Sequence, residues 1–219
     1  MEEHPRRDRL VRTREAARVE RAKFLQMYPF RENPAAIDTL MVARQHAEGF
    51  VTWLERNLRW LGGINLRSRE PHKSAAEHIR EFRDLLHITV DGNLTPFQKV
   101  DARWDGIPWF GGEDRQIAKK IVATYYPDET LPIFSTSHLE HFVSYLGMRA
   151  ARDDLARAKY DRPYGDMLTV GQKWELLSEV LLAEKGRDSV LRAEDTIWLM
   201  YCLYYGSACP PGFKVTEPR

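Results

Sequence analysis

The stretch GIPWFGGEDRQIAKKIVATYYPDETLPIFSTSHLEHFVSYLG, residues 106–147, decides the fold class. Its middle carries Ile117, Ala118, Ile121, Val122 and Tyr125 at helical intervals, which predicts a helix over 113–126. Glu113 and Asp114 fall in its first turn, where the helix dipole favours acids, and Pro127 stops it. Residues 131–134 read as extended, and Pro132 restricts them to an edge or a linker. Ser137 with Glu140 has capping-box spacing, so 138–146 is expected to be a short helix ended by Gly147. Two helices and a glycine turn, with no sustained period-two alternation, point to an all-α protein.

Working outward gives the same answer. On the C-terminal side, 149–159 is a mixed-charge helix and 161–166 a loop with Pro163 and Gly165. Thr169 and Gln172 then open a helix carrying Trp174, Leu177, Val180, Leu181 and Leu182. The last helix, 194–205, is apolar all round after its first turn, so it is either buried or covered by a partner. On the N-terminal side, Thr95-Pro96-Phe97-Gln98 is a cap signal. Ser74 with Glu77 is another, ahead of a helix whose core face includes Ile79, Phe82, Leu85 and Leu86. Ile88-Thr89-Val90 has the β-branched content of a short strand before the turn at Asp91-Gly92-Asn93. Asn33 and Pro34 start a long pattern over 37–61, with Leu40, Phe50, Val51, Leu54, Leu58 and Leu61 on one side, Trp53 and Trp60 widening the stripe, and Gly62-Gly63 stopping it. The expectation is a compact multi-helix domain of about eight or nine helices.

Three regions follow: a mobile basic N-terminal helix over 1–27, a helical domain over 28–206 with a sub-boundary possible at 160–168, and a loose tail over 207–219. Lys plus Arg is 33 and Asp plus Glu 32, a formal net charge of +1, which excludes a histone-like polymer and an acidic tail protein. Residues 1–25 carry eight Lys/Arg and five Asp/Glu, net +3, and read either as a phosphate-binding arm or as a solvated helix with internal ion pairs. The longest apolar run, Ile197 to Tyr205, is too short to cross a bilayer, and no apolar leader segment opens the chain. Cys202 and Cys209 are too few for a disulfide framework or a four-cysteine zinc site, and Cys202, inside an apolar helix, reads as an inert buried thiol. These features predict a cytoplasmic protein without a membrane anchor.

No P-loop, G-x-G-x-x-G, G-x-S-x-G or H-E-x-x-H occurs. His138 and His141 stand at i,i+3 and form the best metal-like pair, but no third ligand lies nearby in sequence. The acidic pairs Glu113/Asp114, Asp128/Glu129, Asp153/Asp154 and Glu194/Asp195 read as helix-start acids and solvated faces. No catalytic set and no cofactor are expected. An enzyme assembled from scattered residues, His138, Glu140, His141, Tyr164 and Asp166, is the alternative for chemistry.

The turn at 106–112 resembles the helix-hairpin-helix module of DNA-repair proteins through Ile107-Pro108, Phe110 and Gly111. Trp109 stands where the module usually has glycine, and Ala118 comes about three residues late. The resemblance implies a phosphate site: Gly111 shaping the turn, the amides of Gly111 and Gly112 meeting the anion, and Arg115, Lys119 and Lys120 adding charge. Trp109, Phe110, Gly111, Gly112, Arg115, Lys119 and Lys120 are therefore the expected nucleic-acid contacts. The alternative is a plain helix–helix turn with Trp109 and Phe110 packed in the core.

A second resemblance covers 106–147. The glycine turn, the phrase Tyr125-Tyr126-Pro127-Asp128, and Leu131-Pro132-Ile133-Phe134-Ser135 followed by His138-Leu139 and Leu146-Gly147 look like a helical region found near McrB-type AAA+ restriction proteins. It implies a free-standing accessory or specificity module of a prokaryotic restriction or defence system, without the nucleotide motor. The expected function is non-enzymatic association with double-stranded DNA, supported further by Arg6, Arg7, Arg9, Arg12, Arg67, Arg69 and Lys73. A protein–protein subunit docking through the 197–205 helix is the competing expectation.

Overall fold

The computed structural model describes residues 5–40, 49–64 and 70–206. Among these the chain is all helical, with no strand. Nine α-helices follow in order: α1 (Pro5–Met27), α2 (Glu70–Glu77), α3 (Ile79–Val90), α4 (Pro96–Val100), α5 (Gln116–Tyr125), α6 (Thr136–Tyr145), α7 (Arg149–Tyr160), α8 (Val170–Arg187) and α9 (Thr196–Tyr205). Residues 49–52 are also helical and run into a π turn at Trp53–Asn57.

Two of the five helix-start signals act as the sequence predicts. Thr95 and Thr169 each form a complete capping box, with Gln98 and Gln172 respectively. Others moved. Ser135, not Ser137, caps α6 by accepting from the His138 amide. Ser74 is buried inside α2, and the break falls at His78 instead. Ile88–Val90 is not a strand but the last turn of α3: Leu85, Leu86, Thr89 and Val90 continue one buried face, and the Thr89 hydroxyl donates to the Leu85 carbonyl at 2.8 Å. A helical face facing the core outweighs β-branched propensity here. The start at Asn33–Pro34 yields a 3-10 turn, Pro34–Ile37, and residues 41–48 of the pattern expected over 37–61 lie outside the described residues. Arg67, Arg69 and the tail 207–219 lie outside the described residues.

One main core joins most elements. The basic N-terminal helix is docked on it, rather than free. Leu10, Ala17 and Phe24, seven residues apart, are buried in that core. Phe24 meets Tyr28, Phe50 and Tyr125 at ring distances of 5.0, 5.1 and 6.0 Å. Arg14 and Arg18 then clasp Glu194 and Asp195 at the start of α9.

α8 packs on α6 and α4 through Trp174, Leu177, Val180 and Leu181, and the Trp174 indole N–H donates to the Ile133 carbonyl at 3.1 Å. α7 and α8 share a small satellite cluster of Ala156, Leu168 and Leu176. α9 is buried from Thr196 to Leu203. Its apolar circumference is thus explained by the core, and only the Tyr204–Tyr205 end is part-exposed. Cys202, expected as a free thiol, is disulfide-bonded.

Candidate functional site

The glycine turn comes first, because the expected contacts lie on it. Trp109 has a left-handed φ of +74° and is 63% exposed. Phe110 is buried, stacked parallel to Trp104 at 6.3 Å and edge-on to Phe82 at 5.5 Å. The core-packing alternative therefore holds for Phe110 and not for Trp109. Gly111 is required for space: a Cβ there would lie 2.6 Å from the Asp105 Cα. Gly112 faces open space.

The cations assigned to this turn are engaged inside the fold. Arg115, itself at φ +46°, donates to the Val100 and Ala102 carbonyls at 2.8 and 3.0 Å. Lys119 is fully buried, and its ammonium meets Asp114 at 2.6 Å, Thr136 Oγ1 at 2.8 Å and the Phe134 carbonyl at 3.1 Å. Lys120 is fully buried on the other side, donating to the Leu58 and Gly62 carbonyls. Neither lysine ammonium lies at the surface around Gly111 and Gly112. A helix places consecutive residues on different faces, and both faces of α5 are covered.

The metal pair is not completed. His138 Nδ1 lies 2.8 Å from the Tyr204 hydroxyl, while the His141 ring packs on Phe142 and Tyr145. Among the described residues no group of three or more His, Cys, Asp or Glu is placed to hold a metal. The scattered-enzyme set also divides. Tyr164 donates to Glu140 at 2.6 Å under the Arg152 guanidinium, whereas Asp166 is exposed and lies 3.7 Å from Lys173.

What the fold does build is a cleft of about 530 Å³. Three segments distant in sequence, with Gln116 at the start of α5, wall it: residues 59–64, residues 132–135 with His138, and the C-terminal half of α9. Its size is that of small-molecule and nucleotide pockets. Trp60, Phe134, Tyr201, Tyr204 and Tyr205 supply the aromatic lining, and Arg59, Gln116, Ser135 and His138 the polar groups. Among the described lining residues there is no Asp or Glu. Arg59 lies 4.9 Å over the Trp60 ring.

The cleft is held by interactions behind its walls. Tyr201 donates to the Trp60 carbonyl at 3.0 Å. Lys120 ties the carbonyls of Leu58 and Gly62, which bracket Arg59-Trp60-Leu61. Gly62, at φ +90°, lets the wall pass close to Pro132 and Phe134, where a side chain would strike the Pro132 carbonyl and the Phe134 ring. Burial lowers Lys120 to about 7 and raises Tyr204 to about 12, so the Tyr204 phenol beside His138 stays protonated at neutral pH.

Sequence reasoning noted Trp60, Gly62, His138 and the Tyr204–Tyr205 helix end separately but did not join them. Each lies on a different segment, and nothing local links them. No family model matches the chain, and no curated protein or solved structure does either. No helix among the described residues is long and apolar enough to cross a membrane.

Proposed function

We propose that the chain is a non-enzymatic, DNA-associated helical module that makes its contact through the aromatic cleft. The observation that carries this reading is the cleft's lining: the part-exposed rings of Trp60, Tyr204 and Tyr205 beside Arg59, backed by the buried Phe134 and Tyr201, without a carboxylate among the described lining residues. Aromatic faces stack on bases, and a guanidinium attracts phosphate and stacks in turn. Exposed Arg7, Arg9 and Arg12 on α1 add positive charge elsewhere on the surface. The resemblance of residues 106–147 to the region near McrB-type proteins supports an accessory or specificity role in restriction or defence. The glycine turn serves this reading as architecture, since it positions α5, and α5 carries Lys120 behind the cleft.

The test is fluorescence anisotropy with labelled DNA across a salt series, comparing wild type with Arg59→Glu. Arg59 is exposed, so the variant is expected to fold. The expected outcome is salt-sensitive binding by wild type that weakens about tenfold or more in the variant, at an unchanged melting temperature. Absence of wild-type binding at low salt overturns the proposal.

A further inference from the structure

Resting on that reading, we infer that the cleft takes a single unpaired nucleobase, so that the module prefers single-stranded DNA to intact duplex. The argument is geometric. A base inside a duplex has both faces covered by its neighbours and its pairing edge occupied. It can offer nothing to a concave aromatic wall until it leaves the stack. The cleft is concave, not a flat face, and its rings come from separate segments: Trp60 from residues 59–64 and Tyr204 and Tyr205 from α9 are part-exposed, with Phe134 and Tyr201 buried behind them.

The polar groups match the rest of a nucleotide. Gln116, Ser135 and the His138–Tyr204 pair offer donors and acceptors to a base edge. Arg59 lies beside Trp60 with its guanidinium over the indole, where it can meet the phosphate of a base stacked in the cleft. The missing carboxylates matter as well. An aromatic site for an ammonium ligand normally gains from acids, whereas here the one formal charge of the described lining is positive at neutral pH, which suits an anion.

The rigid back of the cleft supports the same ligand. Lys120, Tyr201 and Gly62 fix the Arg59–Trp60 wall against residues 132–134. A preformed slot loses less ordering entropy on binding a flat ring than a loose loop does.

Binding is measured by anisotropy with four labelled probes of one sequence: single-stranded DNA, blunt duplex DNA, duplex with one bulged base, and single-stranded RNA. Wild type is expected to bind single-stranded and bulged DNA about tenfold more tightly than blunt duplex. Trp60→Ala should abolish that preference, and Trp60→Phe, which keeps a ring, should retain binding within roughly threefold of wild type. Thermal melts of both variants show whether they fold; if Trp60→Ala does not, Tyr205→Ala replaces it. Equal binding of blunt duplex and single strand, untouched by these variants, overturns this inference and leaves the DNA reading standing. Binding of no probe overturns both. RNA bound more tightly than DNA overturns the choice of DNA as the strand.

Discussion

Gly62 and Trp109 both adopt left-handed backbone, with opposite consequences. At Gly62 the conformation is free, but the space is not: a methyl group meets the Pro132 carbonyl and the Phe134 ring. Gly62→Ala is expected to destabilise the protein by about 2–3 kcal/mol and to deform the cleft. A urea titration reads the first effect, and an unchanged midpoint would refute it. At Trp109 the strain is present and the side chain is exposed. Trp109→Gly relieves about 1 kcal/mol of it, offset in part by glycine's freedom in the unfolded chain, so the midpoint should hold or rise. Phe110→Ala, one residue on, should cost about 3–5 kcal/mol. The sequence places both aromatics in one turn. It does not say which points inward, because that is set by Trp104 and Phe82, which pack around Phe110. Lys120 adds a pH effect. Burial lowers it to about 7, while in the unfolded chain it titrates near its ordinary value of about 10.4. Between those limits the unfolded chain holds a proton that the fold has released, so this residue makes the fold more stable as pH rises through the window. Lys120→Met should lower stability by about 2 kcal/mol at neutral pH, by stranding two buried carbonyls, and flatten the rise from pH 7 to 9. Parallel urea midpoints for the two proteins across that range would count against it.

Two helix starts coded within four residues were legible, whereas the starts expected at Asn33, Ser74 and Ser137 were not. The Thr95 and Thr169 boxes need only their own Gln partner, and both form. Thr169 does more than cap: its hydroxyl donates to the Asp101 carboxylate, which also accepts from the Gly171 amide at 2.8 Å. Asp101 thereby pins the start of α8 to the end of α4. Thr95→Ala should cost about 1 kcal/mol, and Thr169→Ala more than that, because it also leaves Asp101 short of a donor. Chemical denaturation of the two variants side by side checks the order, and equal losses would show that the Asp101 link adds nothing. The failures have the same logic in reverse. Ser135 rather than Ser137 caps α6 because Thr136 is held by Asp114, whose carboxylate accepts from its amide at 3.0 Å. Asp114 lies 22 positions away, beyond any local pattern.

At the scale of the whole molecule, the fold class was legible and the candidate site was not. Helical spacing repeats in every segment and needs no knowledge of neighbours. The cleft needs three segments brought together, and its charge balance depends on where the lysines go. α1 shows the same limit: its thin apolar stripe of Leu10, Ala17 and Phe24 looks solvated in a chain of charges, and its partner acids Glu194 and Asp195 stand some 180 positions away. Deleting residues 1–27 should uncover Phe24's aromatic neighbours and abolish cooperative unfolding in calorimetry; a retained single transition would mean that α1 is dispensable. Lys99, Lys119 and Lys120 have no exposed surface in the native fold. An acylating reagent that modifies amines in seconds will therefore meet those three only in chains that have opened. Their modification, followed peptide by peptide in a mass spectrometer, becomes a clock for how often this protein comes apart in its native buffer.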